Sequence, residues 1–264
     1  MEQIDLKQEL AAQANASATK EEVKLKKNMA IPDMVKAMMP EIRRALPTVI
    51  TPERFTRIAL SALNNTPALQ QCTPMSFLAA LMNAAQLGLE PNTPLGQAYL
   101  IPYKNKGNLE CQFQIGYKGL IDLAYRNGQI QTIQAQAVYE HDFFEYEYGL
   151  EPRLVHKPAF SDRGDVIYFY AIFKTVNGGF GMAVMSKADM DLYAKTYSKA
   201  FDSSYSPWKT DYESMAKKTV IKQALKYAPI KTDFQRALST DETIKKEISD
   251  DMFSVKNEEI ELVA

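Results

Sequence analysis

The sequence predicts an α+β fold: a central antiparallel or mixed sheet of about five strands, helices packed on one face, a helical N-terminal part and a long basic C-terminal helix. Three observations carry this expectation. First, residues 98–103 (AYLIPY) and 111–115 (CQFQI) read as strands, the second alternating apolar and polar residues with the period of a half-buried strand. The polar KNKGN between them (104–108) lets one fold back on the other as a hairpin. Second, the period switches after Gly116. Leu120, Ile121 and Ala124 recur at helical spacing, Lys118, Asp122, Tyr125 and Arg126 share an opposite arc, and Asn127-Gly128 stops the helix. Third, VIYFYAIFK (166–174) and FGMAVM (180–185) flank Asn177-Gly178-Gly179, a hairpin turn.

Taken in order, residues 1–29 form a polar arm, rich in Ala, Gln and charge, with KLKK near its end. Residues 32–46 have helical apolar spacing (Met34, Val35, Met38, Met39, Ile42), interrupted by Pro40. Thr51-Pro52-Glu53 reads as N-cap, N1 proline and acidic first turn of a helix through about Asn64. Thr73-Pro74 opens a third helix, apolar almost all round and ending at Gly88, so it should be buried, with Asn83 and Gln86 needing partners. Residues 130–149 supply one or two further strands, and 186–197 a helix. The last expected folded element is the helix over residues 211–228, closed by Pro229.

Length and composition suit an ordered globular chain: 264 residues, 46% hydrophobic and 24% charged. The net charge of −1 hides a split. Residues 239–264 hold eight acids against three lysines, a balance of −5 that leaves +4 on the remainder. The expected organisation is an arm (1–29), a basic folded domain (30–238) and an acidic tail (239–264) that recruits partners. Cys72 and Cys111 have no CxxC companion, so they read as idle thiols of a reducing compartment. No signal-like stretch or membrane-length apolar run is seen, and the expected location is the cytoplasm, without membrane contact.

Two segments favour a phosphate backbone as ligand. In the 211–228 helix, Ala216, Val220, Ala224, Tyr227 and Ala228 form an apolar face. Lys218, Lys222 and Lys226 stack opposite it at i, i+4, i+8 without an interleaved acid, a mutually repulsive stripe that a purely structural helix avoids. Lys217 sits near the apolar edge, either snorkelling or aimed into a groove. Upstream, YSKAFDSSYSPWKTDY (197–212) sets Tyr197, Tyr205, Tyr212 and Trp208 among polar residues, where the rings either pin the loop or offer faces to bases.

Catalytic chemistry is hard to assemble. His141 and His156 belong to no HExxH or triad, and neither GxxxxGK[ST] nor GxGxxG occurs, so no cofactor or nucleotide hydrolysis is expected. Glu140, Asp142, Glu145 and Glu147 offer an alternative, a metal-dependent nuclease, but their alternation with aromatics also suits a strand with one charged face.

The blocks TPMSFLAALMNAAQLGLEP, LGQAYLIPY, FQIGYKGLIDLAYRNGQI and PWKTDYESMAKKTVIKQALKYAP, in that order within roughly residues 32–239, resemble the characteristic blocks of the RecT family of phage-type single-strand annealing recombinases. The resemblance implies an ATP-independent, non-catalytic protein that coats single-stranded DNA and pairs it into duplex. It also implies homo-oligomers, as rings or helical filaments, and work beside a phage exonuclease. The acidic tail would recruit that exonuclease or the host single-strand binding protein. Annealing leaves bases free, so contacts should go to phosphates. On the matching blocks these contacts are expected at Lys118, Arg126, Lys217, Lys218 and Lys222. Lys104 and Lys106 at the hairpin tip, and Lys199, Trp208 and Lys209 in the aromatic loop, join them, with Tyr103, Tyr117 and Tyr125 supporting the strand by packing or stacking.

Overall fold

Prolines punctuate the N-terminal helices. In the computed structural model, which describes residues 29–198, 201, 206–229 and 232–258, α1 (Ile31–Ala37) and α2 (Met39–Ala45) each begin with a proline in the first turn. A missing N–H costs nothing there, so Pro40 divides what the apolar spacing would otherwise make one helix. In α3 (Pro52–Asn65) Thr51 Oγ1 accepts from the Arg54 N–H at 3.4 Å, the expected cap. α4 (Pro74–Leu87) is buried on nearly every side and stops at Gly88, φ +58°. A side chain at Gly88 would be strained, and its Cβ would lie 2.4 Å from Pro47 Cγ. The residues of the 1–29 arm up to Asn28 lie outside those described.

β1 (Ala98–Asn105) and β2 (Asn108–Ile115) pair antiparallel. Their turn is only Lys106-Gly107, both at positive φ, because Lys104 and Asn105 continue the ladder that the sequence assigned to a five-residue loop. Phe113 and Ile115 point into the core against α4. α5 (Tyr117–Arg126) follows directly. The remaining strands are β3 (Ile130–Tyr139), β4 (Phe143–Glu147), β5 (Arg153–Lys157), β6 (Val166–Thr175) and β7 (Phe180–Ser186).

The α+β class holds, but the expected single central sheet of about five strands does not. Among the described residues the strands form three antiparallel sheets: β1–β2, β3–β6–β7 and β4–β5. Hydrogen bonding in the first hairpin ends with α5, and the β4–β5 hairpin, whose second strand was not anticipated, lies against the three-stranded sheet by ring packing. Phe144 stacks on Tyr170 and approaches Tyr168, at 5.6 and 5.7 Å between centroids. The sheet's inner side, with Phe169, Ala171 and Phe173, packs on α8 (Tyr212–Leu225). Between β7 and α8 lie α6 (Lys187–Tyr197) and the short α7 (Pro207–Thr210).

Folding does not end at Ala228. A further helix, α9 (Thr232–Thr240), precedes a return segment that crosses the body. The Phe113 N–H donates to Thr243 O at 3.0 Å, while Ile244 and Met252 are fully buried. Gln86 finds its partners here: the Met252 N–H donates to Oε1 at 3.0 Å and Nε2 reaches Asp251 at 3.4 Å. Asn83, more deeply buried than Gln86, meets no partner among the described residues. Residues 240–258 of the acidic tail are therefore part of the body, and Glu110 pairs with Lys246 at 3.0 Å. No helix among the described residues is long and apolar enough to cross a membrane.

Candidate nucleic-acid interface

α5 and α8 lie side by side, and the Tyr99 ring of β1 packs beside Gly116 at the start of α5. Burial raises the Tyr99 hydroxyl above its ordinary pKa, with smaller contributions from Asp211 and Tyr117 in the same direction and from Lys218 against it, so its oxygen senses both helices. The approach of α5 to the chain before β1 is close. A Cβ at Gly119 would fall 2.1 Å from Gln97 O, and one at Gly116 would fall 2.2 Å from Gly96 O. Glycine at 116 and 119 thus sets Tyr117 and Lys118 beside Tyr99. Lys118 is exposed and takes part in no ion pair among the described residues.

The opposite end of α5 has a different task. Arg126 donates to Leu87 O at 2.7 Å and Gly88 O at 2.9 Å and pairs with Asp122. It thereby closes the carbonyl end of α4, a common use of a cation at a helix C-terminus. Tyr125 reaches β3, where its hydroxyl accepts from the Ile133 N–H at 3.3 Å. Lys118 and Arg126 therefore serve separate surroundings although they share one helical arc.

α8 departs further from the sequence expectation. Met215, Thr219, Ile221 and Leu225 are buried along with the anticipated face, and Tyr227 is 86% exposed. Lys218, expected on the solvent side, is 2% exposed. Its Nζ lies 2.9 Å from Asp241 and 2.7 Å from Glu242, and Lys222 lies 3.1 Å from Asp241. The acids missing from the stripe come from the segment after α9, which periodicity within one helix cannot reveal. Asp241 also accepts from the Ile115 N–H at 2.8 Å. Burial pushes the Asp241 carboxyl up, but Lys218 and Lys222 outweigh it and hold its pKa below the usual range. Lys217 points elsewhere and pairs with Glu213 at 2.5 Å.

Beside Lys218 and Lys222 a cavity of about 190 Å³ opens between α6 and α8, lined also by Tyr193, Trp208, Thr219 and Glu242. Trp208 is buried, edge-on to Tyr212 at 5.6 Å and near Phe201 at 6.4 Å. Packing thus pins Trp208, while its indole still forms part of the cavity wall, and Tyr205 lies outside the described residues. Lys209 is exposed, its ammonium 4.8 Å from the Phe201 ring centroid. Lys199 lies outside the described residues. Tyr103 and Lys104 stand on β1 toward the hairpin tip, with Lys106 in the turn; Lys104 and Lys106 are exposed. Tyr99, Tyr193, Asp241 and Glu242 were absent from the sequence-based set. The one available hint was an acid-free lysine stripe followed by an Asp-Glu pair.

The carboxylates weighed for a nuclease do not converge. The Asp142 side chain is fully covered and accepts from Arg163 Nε at 2.9 Å, the Tyr139 N–H at 3.0 Å and the Ala159 N–H at 2.9 Å, with His156 Nε2 at 3.0 Å. Arg163 above all keeps it ionised far below the ordinary carboxylate range, so it knits the β4–β5 hairpin to the 159–163 loop. Glu140 lies near the Asp165 N–H, and Glu145 and Glu147 are exposed. No cluster of three metal-ligating side chains occurs among the described residues.

Comparison with known proteins bears on the same stretch. A family model described as "RecT family" matches residues 53–256, which span α3 through the return segment. The chain is 41% identical over 210 residues to Protein RecT of Escherichia coli (strain K12), covering 78% of this chain and 77% of that protein. It is 33% identical over 197 residues to the uncharacterized protein YqaK of Bacillus subtilis (strain 168), covering 74% and 66% respectively.

Proposed function

The chain belongs to the RecT family, whose members anneal single-stranded DNA in recombination, and from that premise we propose how its cations divide the work. Lys118, Lys104 and Lys209 contact backbone phosphates directly, and Lys106 in the hairpin turn adds a further contact. Lys217 and Lys218 contribute only as they give up internal carboxylates, from Glu213 and Glu242, and Lys222 acts beside Lys218 while it keeps Asp241. Tyr103 and Tyr117 flank the path of the strand, Lys199 extends it beyond the described residues, and Trp208 walls the cavity beside it. Arg126 and Tyr125 act indirectly, by fixing α5 on α4 and β3.

The observation that carries this reading is the exposed Lys118, held by two tight glycine contacts where α5 meets β1 and α8. Annealing requires two like-charged backbones to approach while their bases stay free, so cations at fixed positions that ignore base identity are what the reaction needs. Such neutralisation needs no nucleotide hydrolysis and breaks no bond. Individually weak contacts become firm when protomers line one strand, which favours a ring or helical oligomer. The acids of the return segment left on the surface, with the residues beyond 258, are where an exonuclease or a single-strand binding protein would dock.

Lys104→Ala/Lys118→Ala tests the assignment. Binding to an oligothymidylate should weaken, and the salt dependence should flatten by about 0.7 for each phosphate no longer neutralised. Annealing of complementary oligonucleotides should slow, with an unchanged melting temperature. Wild-type affinity and salt slope in this variant would refute the phosphate contacts.

A further inference from the structure

Asp241 and Glu242 are neighbours in sequence but differ in what holds them. The Asp241 carboxylate is fully buried and serves three partners, Lys218, Lys222 and the Ile115 N–H. The Glu242 side chain is 40% exposed and, among the described residues, its carboxylate pairs with Lys218 alone. The Glu242 backbone is fixed independently, since Gln112 Nε2 donates to its carbonyl at 2.9 Å and Phe113 binds the next residue. Its φ of +60°, unusual for a residue with a Cβ, shows that surrounding contacts set this position. The side chain is therefore free to swing while the chain beneath it stays put.

We propose that the cavity between α6 and α8 is a phosphodiester site whose resident anion is Glu242: single-stranded DNA displaces this carboxylate, and a backbone phosphate takes its place on Lys218 and Lys222. This rests on the annealing function above and adds an internal competitor to it. Charge balance is the main argument. Two ammonium groups face two carboxylates. Removing either carboxylate without replacement would leave a cation poorly compensated in a low-dielectric setting. A phosphodiester carries one negative charge, so exchanging it for Glu242 keeps the site neutral. Asp241 stays as the permanent counter-ion and holds the two lysines in place.

The cavity's shape agrees with that exchange. Glu242 is one of its lining residues, and about 190 Å³ accommodates a phosphate with part of its sugar. Tyr193 and Trp208 give the wall aromatic surface against which a sugar or base edge can rest. A built-in competitor also has a use in annealing. It lowers affinity at each protomer, so the strand is held firmly only where many protomers act together and remains exchangeable at any single one.

Trp208 is the sole tryptophan and lines the cavity, so the wild-type protein carries its own probe. Saturation with oligothymidylate should shift or quench its emission, and an unchanged spectrum would overturn the proposal. Glu242→Gln keeps the side-chain volume and removes the competing charge. Its affinity for the same oligonucleotide at low salt should rise about fivefold or more, and the gain should shrink as salt increases. Adding Lys222→Gln should abolish the gain. Equal affinity of Glu242→Gln and wild type would overturn the exchange while Lys104→Ala/Lys118→Ala still binds more weakly. If that double variant also binds like wild type, the fault lies in the underlying assignment of the phosphate contacts.

Discussion

On α5 the cation Lys118 stands exposed at the first turn, whereas on the neighbouring α8 Lys218 is 2% exposed and lies between two carboxylates. Both helices show cations at regular spacing in the sequence. The difference lies in what packs on them. The outer face of α5 is shared among β1, α4 and β3 only at specific residues, and in its first turn Lys118 is left to solvent. α8 is enclosed by the three-stranded sheet, by α5 and by the return segment. A lysine stripe therefore signals a ligand surface only when no later part of the chain brings acids to it.

The contrast can be broken most forcefully at Asp241. Asp241→Ala should cost about 3–5 kcal/mol in denaturant unfolding, since it strands the buried Lys218. A cost below about 1 kcal/mol would mean that Glu242 alone compensates the pair. Next comes Arg126→Ala, which removes charge-assisted bonds to two α4 carbonyls and should cost about 1–3 kcal/mol, with DNA binding changed only in proportion to the folded fraction. Acid unfolding sharpens the comparison through α8. Asp142 and Asp241 both have folded pKa values below their unfolded value of about 3.9. The stability that each contributes is complete above that value and is lost as pH falls through the folded pKa. The acid limb should thus begin near pH 4, and Asp142→Asn should make it shallower. The smallest effect on stability belongs to Lys118→Ala, within about 0.5 kcal/mol of wild type, even as it weakens DNA binding.

Sequence reading succeeded where the forces are local. Pro40, Thr51, Gly88 and Gly178 mark boundaries through backbone geometry that each residue imposes on its own neighbourhood, and the structure places turns or helix ends at all four. The amphipathic α5 and the two hairpins at 98–115 and 166–186 were legible for the same reason. The sheet arrangement was not, because nothing in an alternating pattern states which strand lies beside which. Strand β5 carries no such signal: Arg153–Lys157 is short, and the ring contacts that seat its hairpin on the three-stranded sheet run from Phe144 of β4 to Tyr168 and Tyr170 of β6. At the site, Lys118 could be found from spacing. Glu242 could not, since its significance depends on Lys218, 24 positions earlier in the chain.

The return segment also governs the order in which the molecule can be completed. Ile115 waits for Asp241, Phe113 for Thr243, and Gln86 for Met252, contacts that each span well over a hundred residues. A chain emerging from the ribosome can form its hairpins and α5 early, yet it must hold α4 and β2 incompletely covered until nearly all of the described residues have been made. High contact order of this kind slows folding and prolongs the exposure of apolar surface. Synthesis rate and chaperone supply should therefore influence the yield of this protein more than they would for a fold whose N-terminal half closes by itself.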